Sequence, residues 1–203
     1  MIFDWKNNKK EALKNGIVME QILGVTRIIM KTSDGAVSHH TFRNFSKLEF
    51  EDDSRIEQCM FEDCGEISAC DGIFQACEFH HVDSIFGHYT DFINCHFQNC
   101  SSIGPLLTID STGGVDECVF ENITAQGEDG YIIFSVYNKK SDVKEIKNCK
   151  FIHWHTENPD NDISYCEYHS PFIFGKPKYI NNIHYESCDI DEGDIIEIGS
   201  FSV

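Results

Sequence analysis

One short signature recurs seven times along this chain and leaves few folds open to it. Each copy has an apolar residue, a second position three residues on that is cysteine in five of the seven, an aromatic two further, and another core-type residue three beyond that. The copies are Val37, His40, Phe42, Phe45; Ile56, Cys59, Phe61, Cys64; Phe74, Cys77, Phe79, Val82; Phe92, Cys95, Phe97, Cys100; Val115, Cys118, Phe120, Ile123; Ile146, Cys149, Phe151, Trp154; and Ile180, Ile183, Tyr185, Cys188. Only the two terminal copies lack the cysteine, as expected of end repeats that meet something other than another repeat.

The cysteine and the aromatic are two residues apart, so on a strand they share a face. The residues between them (Met60, Glu78, His96, Val119, Lys150, His184) follow no chemical rule and are expected to face outward. Two positions after the aromatic come Asn44, Asp63, His81, Asn99, Asn122, His153 and Ser187. Such residues tolerate turn geometry. A further apolar row is predicted at Leu48, Ile67, Ile85 and Ile103. Short strands separated by turns, at a fixed period, describe a stacked coil. One coil cannot bury its inward row alone, but each covers the row of the next. The expectation is an all-β fold: a right-handed, single-stranded parallel β-helix of about seven coils over residues 37–203. Residues 1–36 are expected to form an N-terminal cap with a short helix in NNKKEALKNG. Loop insertions are expected at about 124–142 and 155–178.

Units such as Phe92-Ile-Asn-Cys95-His-Phe97 and Ile146-Lys-Asn-Cys149-Lys-Phe151 resemble the repeats of the right-handed parallel β-helix, pectin-lyase-like superfamily. The resemblance spans roughly residues 37–190. It implies the fold; it does not select an activity, because that superfamily holds lyases, hydrolases, epimerases and non-catalytic scaffolds.

Charge narrows the function. The net charge is −18, and Ile56–Asn138 holds fourteen Asp and Glu with no Lys or Arg. Nucleic-acid binding depends on cations that neutralise phosphate, so direct binding is excluded for this stretch. A uronate lyase needs basic residues that the middle coils lack. A hydrolase or epimerase would use Asp83, Asp91 and Asp110 with His81 or His88, since paired carboxylates at set separation carry glycoside hydrolysis. No metal-ligand spacing, phosphate loop or dinucleotide fingerprint occurs, so no metal and no cofactor is expected. No apolar run is long enough to span a membrane. The polar start does not read as a signal peptide. A cytoplasmic location is therefore expected, with the ten cysteines as thiols and Cys70 and Cys166 as the more reactive pair.

The leading expectation is a non-catalytic acidic binding module acting on a protein with a basic surface, as inhibitors, immunity proteins and nucleic-acid mimics do. Its contact residues are expected in the loops of the longer coils: Glu128, Asp129, Glu157, Asp160, Asp162, Tyr165, Tyr168 and His169. The alternatives are a carbohydrate-active enzyme and an oligomeric structural component.

Overall fold

The structure, a computed structural model, describes residues 1–22, 25–31, 35–102, 106–110, 113–125, 133–137, 146–156, 164–168, 180–181 and 184–186. It is an all-β, mostly parallel solenoid. Among the described residues a fifteen-stranded sheet and a seven-stranded sheet run along it, and the chain alternates between them. The first elements are β1 (Ile2–Asp4), a short helix α1 (Lys9–Lys14), and the strands β2 (Ile17–Ile22) and β3 (Val25–Met30), which form an antiparallel hairpin.

The register follows the repeat. Phe42 pairs with Phe61, then Phe79, Phe97, Phe120, Phe151 and Tyr185. On the second sheet Val37, Ile56, Phe74, Phe92, Val115, Ile146 and Ile180 run in the same order. The predicted row from Leu48 through Ile67 and Ile85 is also present, but Ile85 pairs with Leu107. The expected member, Ile103, lies outside the described residues. The four-residue difference reflects the longer coil that follows Cys100.

Six phenylalanine rings stack in the column from Phe42 to Phe151, and a seventh extends it. Phe3 of β1 lies on Phe42, with ring centroids 5.1 Å apart and planes 8° from parallel. From Phe42 to Phe151 successive centroids are 4.5–5.2 Å apart and planes within 3–11°. Strand neighbours repeat every 4.7–4.9 Å or so, and parallel rings at that spacing are offset, the arrangement their quadrupoles favour. Within residues 1–36, β1 pairs in parallel with Thr41–Arg43 and extends the column by one rung.

Left-handed corners make the coil close. His39, Gln58, Ala76, Asn94, Glu117 and Asn148 have φ of 51–56°. So do Asn44, Asp63, His81, Asn99, Asn122 and His153, at 51–60°. A third corner holds Asp53, Asp71 and Tyr89, at 51–60°. Corner N–H groups still donate to the neighbouring coil: Gln58 to the Gln75 carbonyl at 2.9 Å, Ala76 to Ile93 at 2.9 Å, Asp71 to His88 at 2.8 Å. The ladder is not interrupted where the chain turns.

The residue after a corner points inward, and here the cysteines acquire a second role. Cys59, Cys77, Cys95 and Cys118 each place Sγ 3.4–3.6 Å from a carbonyl of the preceding coil, those of Val37, Ile56, Phe74 and Phe92. Cys64 and Cys100 do the same with Phe42 and Phe79, at 3.6 and 3.7 Å. Thr90 repeats the contact with its hydroxyl, donating to Ala69 at 3.2 Å. These thiols are small enough for a crowded interior and still donate weakly.

Gly65 marks the tightest approach. A Cβ there would sit 2.4 Å from the Ser46 carbonyl oxygen, which is backbone and cannot swing away. Gly65→Ala is expected to lower stability by about 1–3 kcal/mol, the usual range for forced overpacking; a denaturation midpoint equal to wild type would count against it. Burial also pushes the Cys64 and Cys100 thiols from an ordinary 9.0 up to about 11. The folded state thus keeps their protons longer than the unfolded chain. Their contribution is complete below pH 9 and is lost as pH rises through 11. Val82 occupies the position between them in the same row, so valine fits there. Cys64→Val with Cys100→Val is expected to shift alkaline unfolding to higher pH, as read by circular dichroism across a pH titration.

Candidate functional site

Outward side chains on the long sheet come from alternate positions of Met60–Cys70, Glu78–His88, His96–Gln98 and Val119–Ala125. Their charge is arranged in a gradient. At the N-terminal end, cations of one coil meet acids of the next: Arg43 Nε lies 2.6 Å from Glu62 Oε2 and Lys47 Nζ 2.7 Å from Glu66 Oε1. Arg55 pairs with Glu57. On the second sheet, Lys147 Nζ comes 3.5 Å from Asp116. Beyond these pairs, no Lys or Arg side chain among the described residues forms a salt bridge with Asp71, Glu78, Asp83, Glu117 or Glu121.

The partners in this middle zone are neutral or titratable. His96 Nε2 and Gln98 Nε2 both lie 3.1 Å from Glu121 Oε2. His80 Nε2 is 3.3 Å from Glu78, and His81 Nδ1 is 3.3 Å from Asp63. Asn122 donates to Asn99 at 3.2 Å, and the His153 ring lies 3.2 Å from Asn122. Beside this wall stand two exposed aromatics, Phe86 at 41% and Tyr89 at 40% exposure. The His88 and Tyr89 rings meet edge to face with centroids 4.2 Å apart. Asp71 stands at the same corner one coil before Tyr89. Cys70 is half-buried; burial first, and then Asp71, raise its thiol to about 11. It is therefore not activated as a nucleophile.

The residues expected of an enzyme are dispersed. Asp91 lies on the second sheet, where Oδ1 accepts the Gly114 N–H at 2.9 Å and holds a turn. His88 stands in register with Asp110 on the adjoining strand. Asp83 precedes His88 by five residues on the same strand, a rise of about 16 Å. Paired carboxylates that hydrolyse glycosides stand about 5–9.5 Å apart. His81 occupies a corner and pairs with Asp63, away from His88. Among the described residues no group of three or more His, Cys, Asp or Glu is placed to hold a metal ion.

Of the predicted contact residues, Glu128, Asp129, Glu157, Asp160, Asp162 and His169 lie outside the described residues. Tyr165 and Tyr168 fall on the strand Ser164–Tyr168, in register with Phe134 and Tyr137. The cluster of Glu78, His80, His96, Gln98 and Glu121 was not singled out from sequence. Its signal was present: these are the positions one and three residues after the repeat cysteine, in consecutive coils. No helix among the described residues is long and apolar enough to cross a membrane. A scan against protein-family models finds no match for the chain, and no curated protein matches it.

The acids also avoid one another. Along every paired strand, the rung beside an Asp or Glu holds another kind of residue: Glu62 is followed by His80, Gln98 and then Glu121, and Met60 by Glu78 and then His96. Two like charges 4.8 Å apart repel by about 1 kcal/mol in water and about 3–4 kcal/mol at an effective dielectric of 20. Gln98→Glu would set a carboxylate beside Glu121 and remove its amide donor. The variant is expected to melt lower than wild type, with most of the loss recovered in high salt. A salt-insensitive loss would point to packing instead.

Proposed function

We propose that this protein is a non-catalytic acidic binding module that engages a partner with a basic surface, in the manner of an inhibitor, an immunity protein or a nucleic-acid mimic. The observation that carries this reading is the middle of this wall, where Asp71, Glu78, Asp83, Glu117 and Glu121 form no salt bridge with a Lys or Arg among the described residues. A field of one sign speeds encounter with an opposite surface. Phe86 and Tyr89 supply rigid apolar contact at its edge, the kind of residue that anchors an interface. The partner surface therefore includes this wall, together with Glu128, Asp129, Glu157, Asp160, Asp162 and His169 and the strand that carries Tyr165 and Tyr168.

The finer fold assignment belongs to the same reading. We take the solenoid as right-handed, of about seven coils, pectin-lyase-like in its repeat, and closed at its start by residues 1–36. Phe3 over Phe42, with the buried Ala12 of α1 above β1, supports that closure. The free thiols among the described cysteines fit a reducing compartment such as the cytoplasm.

The test is capture of the partner from native cells, followed by association kinetics over a salt series. The on-rate is expected to fall steeply with salt. Charge reversal of Glu78, Asp83 and Glu117 together should lower the on-rate about tenfold or more, the scale of electrostatic steering. Phe86→Ala with Tyr89→Ala should instead raise the off-rate. An on-rate indifferent to both salt and charge reversal would end the proposal.

A further inference from the structure

We infer, on the reading of the wall proposed above, that its histidines gate the surface by pH: the wall attracts a basic partner at neutral pH and releases it in mildly acidic surroundings. Three imidazoles stand in direct contact with three carboxylates. His96 Nε2 lies 3.1 Å from Glu121, His80 Nε2 3.3 Å from Glu78, and His81 Nδ1 3.3 Å from Asp63. An ionised carboxylate only accepts, so the ring nitrogen that faces it carries the hydrogen. The other nitrogen of each ring is the basic one and takes the second proton. Each contact then changes from a neutral-donor hydrogen bond into a charge-assisted one.

Strand pairing packs further acids around these rings. His96 has Glu78 beside it on one side and Val119 on the other. His80 lies between Glu62 and Gln98. His81 turns the corner that Asp63 turns one coil before and Asn99 one coil after, and Asp83 follows it by two residues on the same strand. Two cations stand in the columns of His80 and His96 among the described residues. Arg43 is held by Glu62 at 2.6 Å, and Lys150 lies one rung beyond Val119. The three histidine–carboxylate pairs therefore carry a charge of −3 with neutral rings and of zero with protonated rings.

Spacing the acids does not itself require a titrating group. Gln98 Nε2 lies at the same Glu121 oxygen as His96, also at 3.1 Å. Asn122 donates to Asn99 at 3.2 Å in the corner column of His81. An amide thus fills the spacer's place. What an imidazole adds is a charge that appears between about pH 8 and pH 5, where the ordinary side chains of other residues do not change theirs. Ile56–Asn138 has no Lys or Arg, so His80, His81, His88 and His96 are the source of positive charge in that stretch. Protonation there subtracts directly from the field that steers a basic partner.

The test uses the full chain with decalysine as the basic probe, at constant ionic strength. Between about pH 8 and about pH 5.5 the wild-type on-rate should fall about tenfold, the lower end of electrostatic steering. With His80→Gln, His81→Gln and His96→Gln combined, the fall between the same two pH values should shrink to about threefold or less, whatever the variant's rate at the higher pH. In NMR of the wild-type protein the three ring signals should titrate across this interval together with the carboxyl carbons of Glu78, Glu121 and Asp63, a response that needs no probe. Equal falls in wild type and variant, or rings still neutral at the lower pH, would overturn the gate and leave the acidic wall standing. No binding of decalysine at the higher pH would overturn both.

Discussion

Everything in this solenoid depends on a backbone that turns left-handed without breaking its ladder. A residue in that conformation costs about 1–2 kcal/mol unless it is glycine or a short polar residue. Here Gln58, Ala76, Glu117 and Tyr89 adopt it as well. What holds Gln58, Ala76 and Glu117 there is the next coil, whose carbonyl takes the corner N–H. The cost is met by a bond that would be lost if the corner opened. It also explains why corners repeat at the same place in each coil: one corner out of phase would strand a donor in its neighbour.

The corner also explains the cysteines. The residue that follows it is turned inward and brought close to a carbonyl of the coil before. At the first corner cysteine fills that space and points a weak donor at the carbonyl, and Thr90 does so at the third; at the second corner Cys64 and Cys100 share the row with Phe45, Val82, Ile123 and Trp154, so the space there also admits apolar and larger side chains. The phenylalanine two residues later fills the remaining width, and its ring rests on the ring below. The two residue types are thus set by one local geometry, and their spacing by the period-two alternation of a strand.

That much of the fold was legible because it is periodic. Spacing alone fixed which residues share a row, and the register from Phe42 through Tyr185 follows it. What escaped was aperiodic. Phe3 joins the column from a strand that lacks the repeat, since the residue two before it is Met1 and not cysteine. Ile103 was placed in a row that Leu107 fills, because an insertion after Cys100 is invisible to a fixed offset. The corners at Gln58 and Ala76 carried no turn residue to betray them. The middle-wall cluster of Glu78, His96 and Glu121 was missed for a different reason. Its members are ordinary surface types, and only the strand pairing makes them neighbours.

The distribution of acids separates what the fold tolerates from what it presents. Stacked coils bring equivalent positions within about 4.8 Å, so an acidic sequence placed at random would repel itself along every column. Here the acids are staggered: Glu78 is followed by His96, Glu121 is preceded by Gln98, and Asp116 lies between Ile93 and Lys147. The exception is the corner that holds Asp53 and then Asp71. Staggering removes the short-range repulsion but leaves the long-range field, because charges several rungs apart still add at a distance. If the acids served only solubility, cations could have been interleaved with them, and the N-terminal end of the wall does this with Arg43 and Lys47. The middle coils use histidine, glutamine and asparagine as spacers instead. That choice keeps the wall stable and also keeps it negative, which is the property a basic partner would recognise.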